Sequence, residues 1–305
     1  MSAPRTRREM LGDMATFAGG MMMPAPLARA LGVARGVDPD RERLAAWTAT
    51  LRAERLNDRS VPLGRAAVRV GEQAVGTPYE AYTLEAYLKA GGKPTSNEPL
   101  TLSLTRFDCV TLVESCLAVA RVARAGDASS WQRFGREVER MRYRGGVRGD
   151  YTSRNHYFSE WISDGERRGL VRDLGAELGG VEDARPLRFM TEHRASYPAL
   201  ADDGVYRAIG EMERRLDARA RRVIPTTRIA DVADRIQTGD VLAFATSIPG
   251  LDVTHSAMAC RDRDGVLRVL HAPLSGGVVE VTKTTLPEYV ARIKRSTGIL
   301  VARPT

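Results

Sequence analysis

The sequence is poor in cysteine and in aromatic residues, and it contains no long hydrophobic run. Three cysteines among 305 residues are too few for a disulfide framework. No stretch approaches eighteen uninterrupted apolar residues, so we expect no membrane-spanning helix in the body of the protein. The spacings Cys-x-x-Cys and His-Glu-x-x-His are absent, which predicts no metal site, and nothing in the sequence calls for a cofactor.

What the sequence does contain is arginine, spread along the whole chain, which produces most of the net charge of +8. Such a charge makes nucleic acid a candidate partner. Scattered arginines with only 6% aromatic residues are more typical of a solvated surface. We therefore predict a globular protein that binds no nucleic acid, with enough apolar residues, 43% of the chain, to form a core.

The N-terminal segment has the pattern of an export signal. Arg7 and Arg8 precede a stretch with few charges at 14–27, and the small residues at 28–30 offer a cleavage site. This pattern resembles a twin-arginine signal, which predicts a periplasmic or secreted protein whose mature chain begins near Leu31. An aspartate and two prolines weaken the apolar stretch, so a disordered N-terminus that is not a signal is the alternative.

Helical patterns precede strand patterns along the rest of the chain, which indicates an α+β fold. Residues 1–35 are assigned to the signal and 36–305 to one domain, with a helical insertion at about 163–237. The predicted helices are 38–56, 108–125, 131–143, 205–222 and 286–293. The predicted strands are 240–246, 255–261, 266–271, 278–281 and 298–302, and they are expected to form an antiparallel sheet.

Cys109 lies where a helix is expected to begin, directly after Asp108, which is a good N-cap residue. Unpaired backbone N–H groups and the helix dipole favour a thiolate at such a position. A small buried residue is the alternative, because most free cysteines are buried and inert. Cys116 lies on the apolar stripe of the same helix, and we expect it to be such a buried residue.

A thiol nucleophile needs a base, and two of the four histidines, His255 and His271, lie in consecutive predicted strands. A two-residue turn at 264–265 would place their side chains on opposite faces of the sheet. A three-residue loop at 263–265 would instead pair His271 with Ala257 and make the two histidines diagonal neighbours on one face. Only the three-residue loop therefore allows both histidines to take part in one site.

If both histidines serve one thiol, the odd-numbered loop is required. In that case we expect the face that carries His255, Ala257 and Ala259 to pack against the Cys109 helix, because a helix can approach closely over alanine.

Several ordered motifs resemble a known family. The segment 107–114, the segment 239–242, His255 at a strand start and His271 at a strand end are similar to the pattern of NlpC/P60 cysteine peptidases. Two further segments, 151–162 and 250–255, resemble the DUF1460 branch, which is described as N-acetylmuramoyl-L-alanine amidase-like. The resemblance extends from about Val68 to Arg303 and implies a papain-like fold with helices packed on a C-terminal antiparallel sheet.

This resemblance implies catalytic roles for four residues. Cys109 would be the nucleophile, His255 the general base, and His271 the residue that orients the base. Tyr79, in the segment 76–79, matches a tyrosine whose hydroxyl helps to stabilise the oxyanion. The sequence departs from the family pattern at Pro273, where a serine would be expected.

Arg154, His156 and Asp252 are candidate substrate-binding residues. They lie in the two segments that resemble the DUF1460 branch. The Arg154 guanidinium would suit a lactyl or peptide carboxylate, and the aromatic residues at 157–161 could form the floor of a sugar pocket. The alternative is that the aromatic residues pack in the core and Arg154 caps a neighbouring element.

The implied substrate is a muropeptide or peptidoglycan fragment, which a basic surface would suit. Cleavage is expected between the muramic-acid lactyl group and L-alanine, with the anhydro sugar as one possible form of the substrate. One alternative is a γ-D-glutamyl-diamino-acid endopeptidase, which would use the same triad. The other is a catalytically silent wall-binding domain.

Overall fold

The computed structural model describes residues 38–126, 130–275 and 277–305. The predicted export signal and its cleavage site lie outside these residues. Within them, no helix combines the length and the apolar character needed to span a bilayer. The helices are α1 Pro39–Ala53, α2 Leu63–Gln73, α3 Ala86–Lys89, α4 Cys109–Arg124, α5 Trp131–Arg142, α6 Phe158–Arg167, α7 Phe189–Glu192, α8 Asp203–Asp217, α9 Ile229–Val232 and α10 Leu286–Arg292.

The strands form one antiparallel sheet of eight. They are β1 Val171–Asp173, β2 Val181–Asp183, β3 Arg221–Pro225, β4 Val241–Thr246, β5 Val253–Arg261, β6 Leu267–His271, β7 Glu280–Val281 and β8 Ser296–Pro304. Their order is β2-β3-β8-β4-β5-β6-β7, and β1 pairs with the end of β8. The predicted α+β class and the five predicted C-terminal strands are confirmed, with boundaries that differ by a few residues.

The segment at about 163–237 is more mixed than the mostly helical segment that the sequence led us to expect. It contributes three strands to the sheet as well as helix α8. The predicted helix 205–222 ends at Asp217, and Arg221 and Arg222 belong to β3, which pairs with β2 and β8. Pairing with these distant strands overrides the local helical pattern, which sequence periodicity does not reveal.

The sheet is covered on both faces. On one face, Leu112, Val113 and Cys116 of α4 share an apolar cluster with Met258 and Cys260 of β5. On the other face, the cluster contains Ala257, Ala259, Leu242 and Phe244 of the sheet together with Leu286 and Val290 of α10. The expectation that α4 packs against the face of Ala257 and Ala259 is therefore wrong. Because residues on both faces are buried, alternation of apolar residues does not indicate which face receives the helix.

The hairpin β5–β6 has the register that the three-residue loop requires. Ala259 pairs with Val269, and Met258 pairs with Leu270, which places His271 opposite Ala257. Asp262 N–H donates to the carbonyl of Val266, and Gly265 adopts a φ of +77° inside the loop 263–265. A left-handed residue closes this type of loop, and glycine adopts that conformation without strain. The three-residue loop is confirmed.

Candidate active site

Cys109 is the first residue of α4, and a complete capping box fixes this start. The Asp108 carboxylate accepts a hydrogen bond from Thr111 N–H at 2.7 Å, and the Thr111 hydroxyl accepts one from Asp108 N–H at 2.9 Å. Because these side chains satisfy two backbone donors, the helix begins at Cys109 and holds its thiol at the positive end of the dipole. The Cys109 side chain is partly exposed.

Cys116 has the opposite environment. It is buried within the apolar cluster under α4, and this burial raises the pKa of its thiol. A neutral thiol in such surroundings is a poor nucleophile. The sequence-based distinction between a candidate reactive Cys109 and a buried Cys116 is consistent with both environments.

The two histidines of the C-terminal sheet are in direct contact. Nε2 of His255 lies 2.9 Å from Nδ1 of His271, within hydrogen-bond distance. The rings meet edge to face, and the His255 ring stacks on Phe244 with ring centroids 5.7 Å apart. Phe244 is the residue that pairs with His255 across β4 and β5. One imidazole is thus held by a hydrogen bond at one nitrogen and by an aromatic ring on its face.

Burial keeps both imidazoles neutral. Burial, with a smaller contribution from the nearby His271, lowers the pKa of His255 to about 3. Burial also lowers the pKa of His271 to about 4. Near pH 7 each ring therefore has one protonated nitrogen and one nitrogen that can accept a proton.

Tyr289 of α10 completes the surroundings of His271. Its hydroxyl lies 3.3 Å from Nδ1 of His271, and burial raises the pKa of the phenol. On the other side of the ring, Nε2 of His271 is 3.5 Å from the Glu280 carboxylate. The sequence analysis missed Tyr289 and Phe244 as site residues. The cross-strand pairing of Phe244 with His255 could have indicated the first contact, but no local signal places Tyr289.

Tyr79 is brought to the helix start by backbone pairing. Phe107 N–H donates to the Pro78 carbonyl at 3.0 Å, and Glu80 N–H donates to the Phe107 carbonyl at 2.9 Å. On its other side, Tyr79 N–H donates to the Gly277 carbonyl at 2.8 Å. The segment 76–79 thus lies between the residue that precedes Asp108 and the chain before β7. This pairing explains how a tyrosine thirty positions from Cys109 reaches the same site.

One cavity of about 370 Å³ joins these groups. Its lining includes three of the four predicted catalytic residues, Tyr79, Cys109 and His255, and the fourth, His271, contacts His255. Pro273, the position at which the resemblance led us to expect a serine, is also part of the lining. The other lining residues are Thr254, Leu274, Ser275, Thr284, Tyr289, Arg292 and Ile293. The arrangement supplies a thiol, a neutral imidazole and a phenol around one space, which is what acyl transfer through a thioester requires.

The three predicted substrate-binding residues do not line this cavity. Arg154 is buried, and its guanidinium pairs with Glu85 and Glu98 at 3.0 Å each. His156 Nε2 is 2.8 Å from the Tyr151 carbonyl. The aromatic residues at 157–161 are buried, as in the alternative interpretation, but Arg154 pairs with two carboxylates rather than capping a neighbouring element.

Asp252 is also buried, just before β5. Its carboxylate accepts hydrogen bonds from the backbone N–H groups of Ser159 at 2.8 Å and of Val253 at 2.7 Å. These bonds tie the start of α6 to the start of the strand that carries His255. Its observed contacts are those of a residue that positions β5.

No group of three or more histidine, cysteine, aspartate or glutamate side chains in the described ranges is arranged to hold a metal ion.

Residues 69–299 match the family AmiA-like, described as N-acetylmuramoyl-L-alanine amidase-like. Among curated proteins, none matches the chain. An N-acetylmuramoyl-L-alanine amidase from Bacteroides uniformis is similar in structure, with a TM-score of 0.71 and 29% identity over 80% of this chain and 99% of that chain.

Two further solved structures are similar. A Bacteroides fragilis protein described provisionally as a xylanase has a TM-score of 0.69 and 33% identity, over 76% of this chain and 98% of its own. A Legionella pneumophila protein assigned to DUF1460 has a TM-score of 0.60 over 87% of this chain and 94% of its own. At 17% identity, the last comparison shows a shared fold only.

Proposed function

The chain belongs to the AmiA-like, N-acetylmuramoyl-L-alanine amidase-like family, and from this premise we propose that it is a cysteine hydrolase of the NlpC/P60 type. Its proposed substrate is a muropeptide, and the bond it cleaves is the amide between the muramic-acid lactyl group and L-alanine. Cys109 is the proposed nucleophile and His255 the proposed general base.

The observation that carries this proposal is the hydrogen-bonded pair of neutral histidines beside a thiol at a helix start. Nε2 of His255 lies 2.9 Å from Nδ1 of His271. Nδ1 of His255 is therefore the ring nitrogen that remains available to groups in the cavity. The Glu280 carboxylate, 3.5 Å from Nε2 of His271, favours a proton on that nitrogen. Nδ1 of His271 then accepts from Nε2–H of His255, and Nδ1 of His255 is a proton acceptor.

The proposed reaction proceeds in two steps, acylation of Cys109 and hydrolysis of the resulting thioester. Nδ1 of His255 takes the thiol proton, and the Cys109 sulfur attacks the lactyl carbonyl carbon. The C–N bond breaks as the same nitrogen gives its proton to the leaving amine of L-alanine. A thioester remains. A water molecule, deprotonated by His255, attacks this thioester, and its cleavage releases the lactyl carboxylate and restores the thiol.

Charge develops on the carbonyl oxygen during both steps. The N–H of Cys109 at the helix start and the hydroxyl of Tyr79 are the proposed donors to that oxygen. Tyr79 lines the cavity with Cys109, and its position is fixed through Phe107, two residues before the nucleophile.

Glycoside hydrolysis, which the description of the Bacteroides fragilis protein suggests, is less compatible with this cavity. Retaining and inverting glycosidases usually place two carboxyl groups on either side of the scissile bond. Among the described residues, neither aspartate nor glutamate contributes to the lining. Amide cleavage by the thiol is therefore the function that the site supports best.

The place of action is a further part of the proposal. Arg7 and Arg8, with the small residues at 28–30, are the sequence features that support export by a twin-arginine signal. A peptidoglycan substrate would be met in the periplasm or outside the cell.

Mass spectrometry of products from one defined muropeptide tests the proposed bond. Cleavage at the lactyl group yields the free sugar acid and an intact stem peptide that begins with L-alanine. Cleavage after D-glutamate would instead leave a dipeptide on the sugar and identify an endopeptidase. Unchanged substrate, together with failure of iodoacetamide to modify Cys109, would indicate a silent binding domain.

A further inference from the structure

The lining of the cavity is almost uncharged. In the parts of the chain that the structure describes, Arg292 is the one lysine or arginine of the lining, and no carboxylate accompanies it. The neighbours of Arg292 in the lining are apolar or carry hydroxyl groups, for example Leu274, Ile293 and Thr284. A guanidinium with no carboxylate beside it in the lining favours a substrate that carries a negative charge.

Among the described residues Arg292 forms no ion pair, but after the hydrogen bonds to Thr285 its charge contributes to lowering the pKa of the Glu288 carboxyl. The nearest candidate along α10 is Glu288, one turn earlier, and its carboxylate accepts a hydrogen bond from Thr285 N–H at 2.9 Å as part of the helix cap. No ion pair joins the two side chains in this part of the chain. The Arg292 side chain is exposed, so a ligand can reach its guanidinium.

Its position along α10 fixes its relation to the reacting groups. Tyr289, whose hydroxyl contacts His271, lies three residues earlier on the same face of the helix, about 4.5 Å along the axis. Arg292 therefore lies about one helical turn beyond the His255–His271 pair. A peptide bound with its scissile carbonyl at Cys109 would extend about 7 Å over its first two residues, which is within reach of an arginine side chain.

We infer that Arg292 is a specificity-determining residue that binds a free carboxylate on the peptide side of the substrate. The inference rests on the proposed function. Once the lactyl group is joined to L-alanine in an amide, the muramoyl side of the scissile bond is uncharged. The next residue, a D-glutamate linked through its γ-carboxyl group, carries a free α-carboxylate. This group is the first anion beyond the scissile bond.

Two N-acetylmuramoyl dipeptide substrates, with the γ-carboxyl group of the D-glutamate blocked as a methylamide, isolate this carboxylate. One carries a free α-carboxylate and the other an α-carboxamide, and neither has the free γ-carboxylate that the native peptide holds in an amide bond. The wild-type protein is expected to prefer the acid by about tenfold in kcat/KM, because a charge-assisted hydrogen bond to a guanidinium is lost with the amide. The difference should lie mainly in KM.

The Arg292→Gln variant should lower this preference from about tenfold to about one, and Arg292→Lys should retain part of it. Lys294→Gln is the matched control, because Lys294 is exposed, lies two residues away and does not line the cavity. It removes the same charge and should keep the preference of the wild type. Melting temperatures of the three variants separate recognition from any contribution of Arg292 to the end of α10.

The possible outcomes are distinct. Equal rates on the acid and the amide in the wild-type protein would overturn the role of Arg292 while leaving the amidase activity intact. An unchanged preference in Arg292→Gln would overturn it as well. If the wild-type protein cleaves neither dipeptide at the muramoyl bond, the proposed function fails, and the inference fails with it.

Discussion

His271 offers the sharpest test of the proposed mechanism, because it contacts the proposed base, His255, without lining the cavity. Replacement by leucine removes the acceptor that lies 2.9 Å from Nε2 of His255 and keeps an apolar side chain in a site that is only 1% exposed. His255 would then lose both its fixed ring orientation and the preference for the tautomer that leaves Nδ1 unprotonated.

The expected loss of kcat follows from the proton transfer to His255, which requires an unprotonated Nδ1. General base catalysis contributes about 10² to 10⁴ in rate, and a misoriented base should lose at least the lower part of it. We expect His271→Leu to reduce kcat by about 100-fold, equivalent to about 2.7 kcal/mol in the barrier. KM should change little, since the side chain does not reach the substrate space.

Two further variants calibrate this result. His271→Asn supplies a carbonyl oxygen that can accept from His255, and it should recover part of the lost kcat. Tyr289→Phe removes only the longer contact of 3.3 Å to Nδ1 of His271 and should cost less than tenfold. Steady-state kinetics on one muropeptide, with unfolding curves for each variant, provides the measurement. A His271→Leu protein that folds and keeps kcat within twofold of the wild type would refute the orienting role.

Three other predictions test separate parts of the proposal. Cys109→Ala should abolish hydrolysis and retain the fold. Cys116→Ala should retain activity and unfold at lower denaturant concentration, because it leaves a cavity under α4. Equal activity of Cys109→Ala and the wild type would exclude the Cys109 thiol as the nucleophile. Because burial lowers the pKa of the two active-site histidines to about 3 and about 4, the unfolded chain binds more protons below about pH 6.5. The free energy of unfolding should therefore fall as the pH is lowered from about 6.5 to about 4, and a flat profile in denaturant titrations would contradict neutral buried rings. Changing Arg7 and Arg8 to lysine should retain the protein in the cytoplasm of the producing cell, which fractionation can detect, and normal export of this variant would exclude a twin-arginine signal.

Local patterns were sufficient to predict the start of α4 and the hairpin that carries the two histidines. The capping residue Asp108 marks the first, and the glycine of the loop 263–265 allows the second. The choice between a two-residue and a three-residue loop remained open in the sequence, because both fit an aspartate followed by glycine. The structure resolves it through the pairing of Asp262 with Val266.

Other features depend on partners that are far away in the chain. Strands β1 and β2 have three residues each, and they pair with β8 and β3 rather than with each other. Strands this short carry almost no periodic signal, so their segment looked helical. The face on which α4 packs was predicted wrongly because both faces of the sheet are buried. Tyr289 was missed since its contact with His271 spans two separate elements.

The pairing of the segment 76–79 has a consequence for the order in which the protein folds. This segment forms backbone hydrogen bonds with Phe107 on one side and with Gly277 and Val279 on the other. During synthesis the helix that carries Cys109 leaves the ribosome well before the strands that carry the histidines. Contacts between segments so distant in sequence form late, because the long loop between them must first close. Cys109 would therefore remain without its proposed base in the nascent chain, and the proposed site would be complete only once the last strands have been added.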